Sequence, residues 1–408
     1  MRVLHTADWH LGRRLNHLDF TDAHEYFLTW LINTIEDQKI DLLIVAGDIF
    51  DSGNPPNSSL RQYYDFLLKV KTTCCRHLVI IGGNHDSVST LNAPKELLRQ
   101  MDIHITGGVP EQVHEEIIPI KAKDGTLEAI VCAIPFLRDK DIRLSVSGET
   151  SAERETRIKQ GIAAHYRQLV PHITEYKNSG VPVIATGHLF AAGATTSDSE
   201  KDIFVGNLGQ VGSGDFPAEY DYIALGHLHR PQLVNSQPHI RYSGSPVALG
   251  YSEADHGKKV IVIDFIPGSS PVIEEIGVPA PRRIKKMGGD TLGIRQKLTA
   301  FPDESLPYPA WLEVEVVTDT YLPELEANLN AIVAKMAHIG SLVIKQKRKT
   351  TATTMADHAT EALSLDELDV HSVFLKRCES QNPGGDHSEL IATFNEAMEK
   401  WQQSEHAA

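Results

Sequence analysis

The sequence predicts an α/β protein in which the first 270 residues carry two stacked mixed sheets, followed by a small α/β cap and a C-terminal helical hairpin. Three observations lead there. Short apolar runs alternate with amphipathic segments from the N-terminus onward, so strand and helix periods take turns. Later apolar runs come with fewer helices between them, which suits two mixed sheets better than one open parallel sheet. The runs also end in clusters of Asp, His and Asn rather than in plain turns.

In chain order, RVLHTA reads as a strand, DAHEYFLTWLINTIED as a helix and DLLIVAG as a strand. SSLRQYYDFLLKVKT follows as a helix, HLVIIGG as a strand and TLNAPKELLRQ as a helix. Further strands are expected at EAIVCAIPF, VPVIATGHL, YDYIALGHL, IRYSGSP and KKVIVIDF, with one helix over roughly Ala152 to Lys177. VPAPRRIKKMGG, where Pro, Gly and basic residues cluster, marks a boundary. Beyond it PAWLEVEVV, LPELEANLNAIVAKMA and GSLVIKQKRK give a small β-α-β unit. The Thr-rich KTTATTMADHAT reads as a linker to two amphipathic helices, the second with Leu390, Ile391, Phe394 and Met398 on one stripe. The expected domains are therefore 1–275, 276–349 and 350–408.

Composition narrows the class. The 408 residues are 41% hydrophobic and 23% charged, an ordinary soluble balance with material for two or three domains. No apolar run approaches the roughly 18 residues needed to span a membrane. MRVLHTADWH lacks the apolar stretch of a signal peptide, so a cytoplasmic location is expected. Four cysteines without a C-x-x-C exclude a zinc knuckle or a disulfide framework. The net charge of −15 argues against a broadly basic nucleic-acid binder. Residues 276–349, however, carry 11 Lys and Arg against 8 Asp and Glu, a local net of +3.

The strand ends carry the chemistry. HTADWHLG offers Asp8 and His10, VAGDIFDSG offers Asp48 and Asp51, and GGNHDS offers Asn84, His85 and Asp86. ATGHL and ALGHLHR add His188, His227 and His229. Loops leaving the carboxyl edge of an α/β sheet converge, and in an extended segment residues i and i+2 share a face. Single D-x-H or G-H motifs are commonly decorative; five strand ends delivering such residues to one edge point to a metal centre. Carboxylates, imidazoles and a carboxamide without thiolate favour a borderline-hard divalent ion such as Mn²⁺ over structural zinc. The donors exceed the needs of one ion, so two are expected, with Asp48 the candidate bridge. His5, His17, His24 and His77 read as surface or satisfied core residues, and Asp86 as a tie for the GNHD turn.

D-x-H, G-D-x-x-D, G-N-H-D, G-H and G-H-x-H in this order resemble the calcineurin-like metallophosphoesterase superfamily. DWHLG, AGDIFD, GNHDS, ATGHL, ALGHLHR and YSGSP are similar to its bacterial nuclease subunits that work with a coiled-coil ATPase. The resemblance implies a four-layer α-β-β-α sandwich. It makes Asp8, His10, Asp48 and His229 ligands of one ion, and Asp48, Asn84, His188 and His227 ligands of the other. It places His85 against the scissile phosphate, with a hydroxide held by the ions as nucleophile. The family's phosphatases have an aspartate at the position of Asp51, which suggests an Asp51–His85 pair in which the carboxylate orients the imidazole and raises its pKa.

The implied function is metal-dependent DNA cleavage, exonucleolytic and endonucleolytic, with ATP hydrolysis left to the partner. No P-loop motif is present in this chain. Phosphate contacts are expected from Arg282, Arg283, Lys285 and Lys286, and partner docking from the C-terminal helices. The resemblance implies a homodimer, and the apolar helix bearing Tyr63, Tyr64, Phe66 and Leu67 serves either that contact or packing inside the monomer. The alternative is a stand-alone phosphatase or small-substrate phosphodiesterase on the same site. Against it, Ser52 occupies the arginine position of the protein phosphatase motif, and a small substrate needs neither cap nor hairpin. A tethering scaffold with a vestigial site is disfavoured by the complete ligand set.

Overall fold

The structure is a computed structural model that describes residues 1–142, 150–191, 211–254, 257–266 and 268–348, and Phe394. The chain divides into a compact unit Met1–Lys347 and a second unit Arg348–Ala408. The expected linker and C-terminal helical hairpin, apart from Phe394, lie outside the described residues.

The first half of the unit runs β1 (Arg2–Thr6), β2 (Arg14–Leu15), β3 (Leu18–Asp19), α1 (Thr21–Asp37), β4 (Leu42–Ala46), α2 (Asn57–Val70) and β5 (His77–Ile81). It continues through α3 (Val88–Asn92), α4 (Lys95–Arg99), β6 (Ile103–Thr106), β7 (Ile117–Lys121), β8 (Leu127–Cys132), α5 (Asp139–Ile142) and α6 (Ser151–Asn178). β9 (Val183–His188), β10 (Tyr222–Gly226), β11 (Gln232–Val234), β12 (Gln237–Tyr242), β13 (Lys259–Asp264) and β14 (Val272–Gly277) complete the main body. TLNAPKELLRQ, read as one helix, is two, because Pro94 has no amide hydrogen to continue the first.

Two six-stranded sheets result, in the orders β14-β13-β1-β4-β5-β6 and β11-β12-β10-β9-β8-β7. In each, four strands supply a parallel core: β1, β4, β5 and β6 in the first, β12, β10, β9 and β8 in the second. Alternation along the strands sorts their side chains. Val3, Leu42, Ile44, Val79 and Ile81 face Ile120, Val131, Ile184 and Ala224 of the other sheet, forming the central core. Leu4, Leu43, Val45, Leu78 and Ile80 turn outward onto Phe27, Leu31, Phe66 and Val70 of α1 and α2. On the far side Ile130, Ala185, Ile223 and Leu225 pack against Ile158, Ile162, Tyr166 and Leu169 of α6. Thr150 and Glu153 start α6 with reciprocal hydrogen bonds, a capping box. The layers are thus α-β-β-α, as the resemblance implied.

The cap is larger than the β-α-β unit expected. RIKKMGG, read as boundary, forms β15 (Ile284–Gly289) and pairs in parallel with β16 (Ala310–Thr318). The helix Thr291–Thr299 lies between them, started by Asp290 accepting from Gly293 N at 2.7 Å. The helix Leu325–Val333 and β17 (Ile339–Arg348) complete a three-stranded sheet in the order β15-β16-β17. Its own core is Ile294, Leu298, Leu312, Val314, Val316, Leu325 and Leu329. Ile284 and Trp311 instead join the outer core of the first sheet, Trp311 meeting Phe20 edge to face at 5.0 Å.

Candidate metal centre

The carboxyl ends of β1, β4, β5, β9 and β10 converge, and their loops hold every residue expected at the centre. Beyond its strand end β1 stays zipped to β4: Asp8 N donates to Gly47 O (3.0 Å), His10 N to Asp48 O (3.0 Å) and Leu11 N to Ile49 O (2.9 Å). Trp9 points the other way, fully buried between Phe27 and Phe66, its indole N–H on Thr6 Oγ1 at 3.1 Å. Anchoring Trp9 thus fixes its two neighbours. Asp8 and His10 share a face, but not because the segment is extended: both have left-handed backbones, φ 54° and 48°. Asp48 (φ 47°) and His227 (φ 104°) are also left-handed. Such conformations in residues with side chains persist where surrounding structure imposes them, and they concentrate at functional sites.

Asp8, His10, Asp48, His188 and His229 are buried, whereas Asn84, His85, His227 and Asp51 are partly exposed and form the mouth. Donor atoms of Asp8, His10 and His229 lie within 4.8 Å of one another, as do those of Asp8, Asp48 and His188. Asp48 Oδ2 sits between the groups, 3.5 Å from His10 Nε2 and 3.2 Å from His188 Nε2. Asn84 Oδ1 lies 3.0 Å from His188 Nε2 and 3.1 Å from His227 Nδ1. Far-side contacts orient the ligands. His188 Nδ1 donates to Ala46 O (2.9 Å), His227 N to Asp8 Oδ1 (2.8 Å) and His85 N to Asp48 Oδ1 (2.9 Å). Gly82 and Gly83 are needed for space: a Cβ on Gly83 would overlap the Asp48 carboxylate, and one on Gly82 the Gly107 carbonyl. Asp86 ties the turn, accepting from Ile49 N, Phe50 N and Gly83 N at 3.1, 3.0 and 2.9 Å.

The electrostatics fit a cation. Burial pushes the Asp8 carboxyl up to about 7, and its Oδ2 has no hydrogen-bond partner among the described residues. Burial also drives His10 down to about 4 and His227 to about 3, leaving neutral imidazoles with lone pairs to donate. Burial works against ionised Asp48, but His188, His10 and His85 outweigh it and hold the carboxyl well below its usual range. Buried carboxylates among neutral imidazoles are a donor set for divalent metal.

Two expectations change. The Asp51 carboxylate faces His10 Nδ1 (3.3 Å) and Arg13 (3.2 Å), whereas His85 Nδ1 donates to the Asp51 backbone carbonyl at 2.8 Å. Asp51 therefore orients His85 through its main chain, and its carboxylate supports His10. Arg282 is buried, bonded to Asp22 and stacked 3.9 Å over Trp311. It clamps the cap to α1 and is not available to phosphate. Lys286 is shared between Glu313 and Glu315 at 3.4 Å each, and Arg283 lies 3.8 Å from Glu304. In α2, Tyr63, Phe66 and Leu67 are buried within the chain itself.

One supporting residue is not visible from the sequence. Glu253 Oε1 accepts from His229 Nδ1 at 2.8 Å, while its Oε2 takes Lys258 Nζ (2.6 Å), Ser245 Oγ (3.2 Å) and Leu249 N (3.2 Å). This explains the YSGSP segment, whose Ser245 also accepts from Lys258 at 2.7 Å.

Fold and donor set together define a metal-dependent phosphoesterase. Residues 1–231 match the family described as calcineurin-like phosphoesterase, and residues 281–382 match the type 5 capsule protein repressor C-terminal domain. The chain is 35% identical over 378 residues to the SbcD subunit of nuclease SbcCD from Escherichia coli (strain K12), covering 92% of each chain. To the corresponding SbcCD nuclease chain of Bacillus subtilis (strain 168) it is 33% identical over 320 residues, 78% of this chain and 79% of the other. The chain belongs to the calcineurin-like phosphoesterase family, in the branch of the SbcD nucleases.

Proposed function

We propose that this chain is the nuclease subunit of an SbcCD-type complex, cleaving DNA phosphodiesters at ends and hairpins and acting with an SbcC-like coiled-coil ATPase in repair, recombination and replication. The observation that carries the reading is the convergence of six further donors around Asp48, with His85 at the partly exposed mouth. Two divalent ions, with Mn²⁺ the preferred identity, would be held by Asp8, His10, Asp48 and His229 and by Asp48, Asn84, His188 and His227. Ions so held supply Lewis acidity toward phosphate and an activated water.

The chain's own residues do the rest. His85 has its hydrogen fixed on Nδ1 by the Asp51 carbonyl, so Nε2, without a hydrogen-bond partner among the described residues, is the working nitrogen. With the ring doubly protonated, the proton on Nε2 stabilises charge on the phosphate or passes to the leaving oxygen, which returns the ring to its neutral Nδ1–H form. Asn84 offers a neutral oxygen that does not repel a phosphodiester. Arg283, Lys285 and Lys286 are assigned the outer phosphate contacts, and paired sites are provided by a homodimer within a heterotetramer. Cleavage of a DNA hairpin with manganese, set against hydrolysis of a phosphopeptide and a cyclic nucleotide, tests the reading. Preference for DNA is expected, and preference for either small substrate overturns it.

A further inference from the structure

We propose that His77, Asp102 and His104 form a binding site for a zinc-class divalent ion at the edge of the first sheet opposite the catalytic loops. His77 opens β5, Asp102 immediately precedes β6, and His104 is the second residue of β6. One donor atom from each lies within 4.8 Å of the others. The catalytic loops leave the opposite ends of these strands, and at ~3.3 Å per residue β5 alone separates the two places by roughly 16 Å.

The orientation of His77 is what points to a cation. Its Nε2 lies 2.8 Å from the Lys121 carbonyl oxygen, which can only accept, so Nε2 carries the hydrogen. In the neutral ring Nδ1 then presents a lone pair. That nitrogen is buried, has no hydrogen-bond partner among the described residues, and lies 4.0 Å from Asp102 Oδ1. His77 is only 7% exposed, whereas the Asp102 side chain is 61% exposed, so a buried imidazole lone pair without a donor faces a carboxylate at the surface. A cation between them satisfies both. An imidazole whose far nitrogen is pinned to a backbone carbonyl is also the usual arrangement of a metal-ligating histidine.

His104 adds a second imidazole, near parallel to His77 with centroids 6.4 Å apart. Burial pushes it down to about 4, so its ring is neutral at physiological pH. Lys71 and Arg99 contribute opposing positive charge, but the Lys71 ammonium is held on the Arg76 carbonyl at 2.6 Å. Two imidazoles and one carboxylate suit zinc and its neighbours better than magnesium or calcium. Three protein ligands leave a coordination position for solvent. A protonated His77 paired with Asp102 is the competing arrangement, and it binds no metal.

The full-length protein equilibrated with zinc, with manganese in large excess to hold the catalytic centre, is analysed for zinc content and by zinc-edge anomalous diffraction. Density bounded by His77 Nδ1, Asp102 and His104 is expected, accounting for one zinc per chain. Asp102→Asn combined with His104→Asn should remove that density and that zinc while manganese-dependent DNA cleavage is unchanged. Absence of density there at saturating zinc overturns the proposal and leaves the ion pair. Equal density and zinc content in the double variant overturn it as well.

Discussion

His85 and Asn84 are neighbours with different partners: the Asn84 oxygen lies against His188 and His227, and the His85 imidazole against the Asp51 carbonyl. His85→Gln should lower DNA cleavage by roughly 100- to 10,000-fold, with metal content by elemental analysis unchanged. Loss of metal instead would make His85 a ligand. Glu253 accepts from His229 Nδ1 and so holds that ring from behind. Glu253→Gln should weaken metal affinity by roughly 10- to 100-fold in calorimetric titration, with DNA cleavage recovered at high metal. The centre also sets a pH dependence. Burial disfavours the His188 imidazolium, but Asp48 and Asp8 prevail and raise it from 6.5 to about 9. A group raised on folding contributes stability fully below its unfolded value and loses it as pH climbs through the folded one. Asp8, raised from 3.8 to about 7, acts with the same sign. His10 and His227, lowered from 6.5, act with the opposite sign until pH passes about 7.5, so metal-stripped protein should show a thermal midpoint that falls from pH 7.5 to 9, and saturating metal should flatten that fall. A rising midpoint would contradict the assignment. Each of these donors was legible in the sequence because spacing put it at a strand end. Glu253 was not, since its bond to His229 spans 24 residues and exists only once the loops are folded. Asp51 was found, but its partner was misjudged, because sequence cannot tell a carboxylate contact from a main-chain one.

At the scale of elements, β1, β4, β5, β9 and β10 were readable because each is a short apolar run closed by a polar cluster. The first strand of the cap was hidden by its own composition. Ile284 is buried, yet the Pro, Lys and Gly residues around it looked like a boundary. What joins the cap to the body is the stack of Phe20, Trp311 and Arg282, closed by Asp22. Trp311 is 6% exposed, so Trp311→Ala should cost about 3–5 kcal/mol in denaturant unfolding. A cost below about 1 kcal/mol would show that the cap is held elsewhere. The Arg282 contact also explains why a basic cluster can mislead: guanidinium groups serve packing as readily as phosphate.

At the scale of the molecule, the sandwich supplies rigidity and the loops supply function. Helices on both outer faces and a dry core between the sheets leave the carboxyl edge as the place where polar side chains can gather. The two stacked sheets followed from alternation and the four-layer order from the family resemblance, whereas partner docking rests on an amphipathic stripe near the C-terminus. Deletion after Thr350 should abolish association with the coiled-coil ATPase in size-exclusion chromatography while leaving metal binding intact. Retained association would move the docking surface elsewhere. The central claim is that two divalent ions share Asp48. Manganese-edge anomalous diffraction from crystals soaked in manganese tests it most directly. Two peaks are predicted, one beside Asp8, His10 and His229 and the other beside Asn84, His188 and His227, both in contact with the Asp48 carboxylate. A single peak, or none at that carboxylate, would contradict the account.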